Sequence, residues 1–328
     1  MNKDSGKKEN NILGKLTQKK KRRTNLLRTY GLLLVFIILL IILLIISPNF
    51  RNPRNIVNLL QQNAVIGIIA CGMTLMMISG GFDLSVGSTA ALSGMVAAAL
   101  FLRFSIPVGI IGGLAAAAFV GIINGLLIGK VNINPFVATL GMQIITRGAL
   151  YVSTNAAPIY GLPRSYMKVG HGSIGPIPIA TGVFVIIAII SHILLRHTPF
   201  GQYILSTGGN EEASRLSGIN VDRIKITVFM WGGLLAGVGG LILLGQTNTG
   251  QPTAATGYEL DAIAATVVGG TSLSGGQGSV FNTVLGVLLL GMVANALNLL
   301  NVSPYWQPVV TGIIILVAVG LDTMGKEQ

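Results

Sequence analysis

Long apolar stretches, separated by short polar connectors, fill most of this chain and leave few folds open to it. Gly31–Ile46 contains sixteen residues without one polar side chain, close to the roughly 20 residues that a helix needs to cross a bilayer. Similar stretches follow at about 62–79, 85–102, 106–129, 135–152, 178–195, 227–246, 258–272, 279–300 and 305–321. Because a backbone in lipid must satisfy its own hydrogen bonds, the pattern predicts an all-α polytopic membrane protein with about ten transmembrane helices, the 258–272 helix being short.

The formal charge of +12 is concentrated at the N-terminus. Residues 1–28 hold ten Lys/Arg against Asp4 and Glu9, so the remaining 300 residues carry only +4. Such a distribution argues against a nucleic-acid-binding face, although the tail could attract anionic lipid. It predicts a basic cytoplasmic tail over 1–28, ahead of a transmembrane domain over 29–328. Ser47–Asn58 then forms an external loop, and an even number of spans returns the C-terminus to the cytoplasm.

An internal repeat joins two glycine-rich segments, GGFDLSVG at 80–87 and GGTSLSGG at 269–276. Glycine pairs allow backbone conformations that other residues resist, and serine can begin the helix that follows. We therefore expect sharp turns or helix breaks at Gly80, Gly81, Asp83, Ser85, Gly269, Gly270, Ser274 and Gly276. The LSGGQ within the second copy matches the signature of ABC ATPases, but the chain has no Walker A sequence, which favours coincidence.

A polar island over Arg196–Lys225 interrupts the apolar pattern. Within it, NEEASRLSG is typical of a short helix with Glu212 and Leu216 on one face and Gly218 at its C-cap. The island is either a solvated connector or a surface that another protein binds. An even span count would place it in the cytoplasm, in agreement with its basic residues.

Enzymatic constellations are absent from the sequence. His171, His192 and His197 show no metal-ligand spacing, and Cys71 is the single cysteine. Glu259 and Asp261 could form a proton or sodium site, or could cap the helix that begins there. The predicted external loops also carry basic residues that either solvate the loops or dock an acidic partner, namely Arg51, Arg54, Arg164 and Lys168.

The chain resembles the membrane permease subunit of ribose-type ABC importers over about residues 45–328. The resemblance is carried by four segments: GGFDLSVGS at 80–88, GGNEEASRLSGINVDRIK at 208–225, QPTAATGYELDAIAATVVGGTSLSGGQGS at 251–279 and ANALNLLNVSPYWQP at 294–308. It implies a homodimer in the bacterial inner membrane, two cytoplasmic ATPases that bind ATP and Mg, and an extracytoplasmic sugar-binding protein. The permease itself would hold no cofactor.

The resemblance also implies that the island docks into the ATPase as a coupling helix. The family pattern Glu-Ala-Ala, three residues, Gly is met by Glu212, Ala213 and Gly218, whereas Ser214 replaces the second Ala. The coupling residues expected from the resemblance are Glu211, Glu212, Ala213, Ser214, Arg215, Leu216 and Gly218.

The substrate expected from the resemblance is a monosaccharide, with D-ribose first and xylose, galactose or an autoinducer-type furanose as alternatives. A neutral sugar needs hydrogen-bonding groups along its path, and polar residues on the glycine-rich spans would supply them. Those residues are Asn124, Thr139, Asn295 and Asn298, which could instead join helices to each other. A proton- or sodium-coupled secondary transporter and a structural or lipid-binding membrane protein remain the rival functions.

Overall fold

The computed structural model describes residues 31–303 and 305–324. The predicted basic tail over 1–28 lies outside these residues. The chain divides into two compact units at Ile46, and each is taken by itself. The described part of the first unit is one apolar helix, α1 (Gly31–Ile46).

The second unit is helical apart from one short hairpin. Its elements in chain order are α2 (Pro53–Ile78), α3 (Val86–Phe101), α4 (Ile106–Gly129), α5 (Pro135–Thr154), α6 (Met167–His171), β1 (Ser173–Ile174), β2 (Ile177–Pro178), α7 (Ile179–His197), α8 (Pro199–Gly209), α9 (Glu211–Leu216), α10 (Val221–Thr247), α11 (Tyr258–Val268), α12 (Val280–Leu299) and α13 (Trp306–Met324). The strands pair antiparallel, with Ile174 opposite Ile177. This agrees with an all-α membrane protein.

Five of the described helices are long and apolar enough to cross a membrane, judged by length and composition: α2, α4, α7, α10 and α12. The total of about ten spans stays a prediction. Helix α11 has 11 residues, so at about 1.5 Å per residue it is too short for a hydrocarbon core of about 30 Å.

The predicted external loop over Ser47–Asn58 is wrong in its second half. Asn52 accepts a hydrogen bond from the Arg54 amide at 3.0 Å, and Pro53 opens α2 directly after it. An asparagine N-cap followed by proline at the first helical position is a strong start signal, because proline lacks only a donor that would be unused there. Residues 53–58 therefore belong to the helix.

Helix α10 lies at the centre of the second unit and packs against α2, α3 and α4 through glycines. A β-carbon added to Gly125 of α4 would lie 2.6 Å from Ile226 Cα, and one added to Gly121 would lie 2.9 Å from Met230 Cα. On α10 itself, a β-carbon at Gly240 would collide with the backbone of Ala90 in α3. Small residues allow this approach, and close packing is what holds helices together in lipid.

We predict that Gly240→Ala lowers the melting temperature of the purified permease in detergent, because the added methyl meets backbone atoms that cannot rotate away. Overpacking of this kind costs about 1–3 kcal/mol. Gly141→Ala is the matched control, since nothing lies within 4 Å of the added carbon there. Equal melting temperatures for the two variants would show that the α3–α10 contact does not require glycine.

Candidate coupling site

The polar island folds into more helix than its sequence predicts. Arg196 and His197 complete α7, Pro199 opens α8, and the predicted coupling helix is α9. Asn210 caps α9 by accepting a hydrogen bond from the Ala213 amide at 2.9 Å. Ser217 is the C-cap, and Gly218 follows with a φ of +84°. This left-handed conformation suits glycine and reverses the chain toward α10.

Ion pairs hold α9 against the start of α10. Lys225 donates to Glu211 at 2.6 Å, and Arg215 bridges Glu211 at 3.1 Å and Asp222 at 2.6 Å. Partial burial opposes ionisation of Glu211, but the hydrogen bonds from Lys225 and Arg215 outweigh it and lower the pKa of that carboxyl. The carboxylate therefore stays charged near neutral pH and fixes the orientation of the short helix.

The opposite face of α9 is left open. Leu216 is 84% exposed, Glu212 is exposed as well, and among the described residues Glu212 takes part in no ion pair. Ser214 points the other way: it is buried and its hydroxyl donates to the Asn210 carbonyl at 2.8 Å. The departure from the family pattern at Ser214 thus leaves the exposed face unchanged.

Helix α8 meets both copies of the internal repeat just before α9 begins. The Gly276 amide donates to the Ile78 carbonyl at 2.9 Å, which joins the second repeat to the end of α2. Gly208 of α8 sits between them, where an added β-carbon would collide with the Ile78 carbonyl and lie 2.7 Å from the Gly276 nitrogen. A β-carbon on Gly275 would lie 3.0 Å from Gly80 Cα. We name the five residues in these contacts the glycine junction: Ile78, Gly80, Gly208, Gly275 and Gly276.

The predicted turn residues lie in the two connections that contain the repeats, α2–α3 and α11–α12: Gly80, Gly81, Asp83, Ser85, Gly269, Gly270, Ser274 and Gly276. The copies match with a shift of one residue. After α2 the cap is Ser79 and Gly80 has a φ of +92°, whereas after α11 the cap is Gly269 and Gly270 has a φ of +79°. The sequence alignment instead pairs Gly80 with Gly269, because it follows residue identity and not backbone conformation.

Asp83 organises the first of these turns from inside the protein. One carboxylate oxygen accepts from the Ser85 amide at 2.7 Å and from its hydroxyl at 2.6 Å. The other accepts from the Asn124 amide at 3.1 Å, and the same Asn124 nitrogen lies 2.8 Å from the Ser85 hydroxyl. All three side chains are buried. The network gives the buried carboxyl group hydrogen-bond partners inside the protein, as a buried polar group requires.

The polar residues considered for the sugar path lie at different depths. Asn124 and Thr139 are fully buried, and Thr139 donates to the Pro135 carbonyl of its own helix at 2.8 Å. Asn295 exchanges amide hydrogen bonds of 2.9 and 3.0 Å with Asn55 of α2, while the exposed Asn298 accepts from Gln307 at 2.9 Å. These contacts join α12 to α2 through Asn295 and to α13 through Asn298, while Asn124 joins α4 to the α2–α3 connection.

The basic residues considered for docking lie toward the end of α10 that is remote from α9. Arg51, Arg54, Arg164 and Lys168 are all exposed. Arg51 and Arg54 flank the start of α2, while Lys168 belongs to α6, whose Gly170 carbonyl accepts from Gln61 of α2 at 2.6 Å. The Gln61 carbonyl in turn accepts from Gln246, near the end of α10, at 3.2 Å.

Glu259 and Asp261 both lie in the first turn of α11, and the capping role considered for them stays a prediction. The N-cap of α11 is Gly257, which has a φ of +89° and no side chain with which to cap the helix. Glu259 is buried, where one carboxylate oxygen accepts from Gln143 of α5 at 3.0 Å and the other lies against Gly87 of α3. The sequence could not reveal this, because the segment between α10 and α11 turns back into the helix bundle.

Comparison with known proteins identifies the family. The model of the branched-chain amino acid transport system permease component matches residues 55–319. The ribose import permease protein RbsC of Escherichia coli K12 is 45% identical over 282 residues, covering 84% of this chain and 88% of its own length. The chain belongs to the family of ribose-type ABC permeases. It is accordingly a multi-pass inner-membrane transport subunit and not an enzyme.

Two further relatives widen the comparison. RbsC of Bacillus subtilis 168 is 45% identical over 280 residues, covering 84% of this chain and 87% of its own. The L-arabinose transport system permease protein AraH of Escherichia coli K12 is 40% identical over 276 residues, covering 84% of each chain. No solved structure matches this permease.

We predict that Asn124→Leu lowers the melting temperature in detergent by several degrees. The change removes a donor from the buried Asp83 carboxylate, and an unsatisfied buried polar group costs about 1–3 kcal/mol, more when it is charged. Asn58→Leu, at an exposed position on α2, is the control and should leave the melting temperature nearly unchanged. Equal melting temperatures in the two variants would remove the structural role assigned to this network.

Proposed function

We propose that this permease is the passive transmembrane subunit of an ATP-driven importer that carries a monosaccharide, D-ribose, into the cytoplasm. The observation that carries the proposal is the exposed face of α9, because α9 directly follows α8, and Gly208 of α8 lies in the glycine junction, where both helix breaks of the repeat meet. A force applied to Glu212 and Leu216 would reach α2 and α12 through backbone contacts. Such contacts deform little, since protein interiors are close-packed, and they therefore transmit a displacement of α9.

The energy would come from a cytoplasmic ABC ATPase that binds α9, with ATP and Mg bound in that partner. Two copies of the permease would form the sugar path between them, and an extracytoplasmic sugar-binding protein would deliver the substrate. ATP binding and hydrolysis would then shift the permease between two arrangements, because each nucleotide state favours a different one. Both termini would lie in the cytoplasm.

Ribose is the first choice of substrate because two relatives at 45% identity are named as ribose import permeases. The arabinose permease at 40% identity supports pentoses as the substrate class. Xylose, galactose and an autoinducer-type furanose are the alternatives. Neutral sugars fit an interior in which charge is sparse and hydrogen-bonding groups lie on helices.

A secondary transporter is the second candidate, and the buried carboxylate of Glu259 favours it. An ionisable group inside a membrane protein is a functional hypothesis by default, and Asp261 lies in the same first turn of α11 as Glu259. Energetics separates the candidates, because an ion-coupled carrier would need a proton or sodium gradient and no nucleotide.

We predict that Glu212→Lys and Gly218→Pro each reduce ATP-driven ribose uptake in proteoliposomes at least tenfold while membrane insertion stays normal. The first reverses the charge on the docking face, and the second is incompatible with the positive φ at Gly218. Both variants should also lose the ATPase in a pull-down. Gln202→Lys also places a lysine on the exposed surface, but on α8 and outside α9, and should keep uptake. Full coupling in Glu212→Lys and Gly218→Pro would refute the docking role of α9.

We also propose a weaker electrostatic contact with the sugar-binding protein, at the end of α10 that is remote from α9. We predict that Arg164→Glu combined with Lys168→Glu slows association of the sugar-binding protein and reduces its salt dependence, because rim charges act mainly on encounter rates. Surface plasmon resonance at two ionic strengths measures both quantities, with Ser173→Ala as a neutral control on the same face. An unchanged association rate and salt dependence would show that the binding protein docks elsewhere.

A further inference from the structure

We propose that a cavity between α2, α11, α12 and α13 is a sugar-binding site within the permease itself. It has a volume of about 480 Å³, within the range of about 300–1,000 Å³ that is usual for small-ligand sites. The inference rests on the proposed function, because the cavity would hold the transported sugar inside each permease copy.

Small residues create the space. Gly257, Ala265, Gly291, Ala294 and Gly312 all line the cavity, so each of its helical walls α11, α12 and α13 contributes a position without a bulky side chain. Asn63 of α2 packs directly on Gly291, where a β-carbon would collide with its amide. The glycine thus brings a polar side chain to the cavity wall.

Five polar side chains line the cavity with unused hydrogen-bonding capacity, those of Asn63, Thr256, Asp261, Gln307 and Thr311. Asn63 donates to the Leu59 carbonyl at 2.7 Å and Gln307 donates to Asn298 at 2.9 Å, so each keeps its amide oxygen as an acceptor. Among the described residues, the side chains of Asp261 and Thr311 form no hydrogen bond or ion pair. A bound polar molecule would satisfy these groups.

The lining suits a neutral polyhydroxyl compound. Carboxylate and amide oxygens accept hydrogen bonds from sugar hydroxyls, and the threonine hydroxyl can donate or accept. Ile66, Val287 and Leu290 supply apolar surface for the carbon face of the ring. An anion would be repelled by Asp261, and this single carboxylate, the one acidic residue of the described lining, offers a multivalent cation too few charged ligands.

The cavity lies on the side from which an imported sugar would arrive. Gln61, two residues before Asn63, contacts Gln246 at the end of α10, and α10 has 27 residues, or about 40 Å at about 1.5 Å per residue. Asn63 is therefore far from α9, toward the end that holds the exposed basic residues. A sugar released there would meet this site before it reached the glycine junction.

Cysteine labelling tests occupancy of the cavity. Cys71 is the single cysteine of the chain and is completely buried, so Thr311→Cys introduces one reactive thiol in the otherwise native permease. In proteoliposomes that hold the ATPase and are supplied with the sugar-binding protein, D-ribose at millimolar concentration should slow modification by a hydrophilic methanethiosulfonate at least threefold, while sucrose should not. Thr247→Cys, at an exposed position at the end of α10, should react at the same rate with and without ribose.

The outcomes separate the site from the function. Unchanged labelling of Thr311→Cys in vesicles that take up ribose with ATP would overturn the site and leave the proposed function standing. Ribose protection in vesicles whose uptake needs no ATPase would support the site and overturn the proposed function. Protection by sucrose as well as ribose would show an osmotic effect and overturn the site.

A second measurement distinguishes binding from a structural role. We expect Asp261→Asn to slow ribose uptake about tenfold or more, as loss of a hydrogen bond to a charged group implies. ATP hydrolysis stimulated by the loaded binding protein should stay within twofold of the native rate, because α9 and the glycine junction are untouched. Parallel loss of uptake and ATP hydrolysis would assign Asp261 a structural role and contradict the site.

Discussion

Direct contact between helix backbones, made at glycines, is the constraint on which the rest of this permease depends. Lipid offers no hydrophobic drive to bring helices together, so close packing must do so. Gly121, Gly125 and Gly240 bring α4 and α3 onto α10 with no room for a β-carbon. In the glycine junction, glycines likewise allow direct backbone contact between the two connections that hold the repeats. The end of α8 lies between these connections.

The proposed coupling role of the short helix α9 depends on that junction. Its ion pairs with α10 involve Glu211, Arg215 and Lys225, whereas Glu212 and Leu216 stay free on the outer face. One face is thus fixed to the protein and the other is available to a partner. Helix breaks at both repeats meet the end of α8, which directly precedes α9, so a push on α9 would act on α2, α3, α11 and α12 together.

Much of the fold could be predicted from sequence, because apolar length and helix start signals are local. The helix in NEEASRLSG, the left-handed Gly218 and the breaks at Gly80 and Gly270 follow from residue type alone. The burial of Glu259 could not be foreseen, because it depends on α11 starting inside the bundle. Gly208 was also missed, although it opens a glycine pair like those of the two repeats, since only three-dimensional contact shows which glycines meet.

In the proposed function the permease is a passive gate that a separate ATPase drives. Uptake of radiolabelled ribose into proteoliposomes tests this most directly, with the ATPase and the sugar-binding protein supplied or withheld, and with proton and sodium gradients imposed in turn. We expect accumulation only when both partners and ATP are present, whichever ion gradient is applied. Accumulation by the permease alone under a proton or sodium gradient would contradict it.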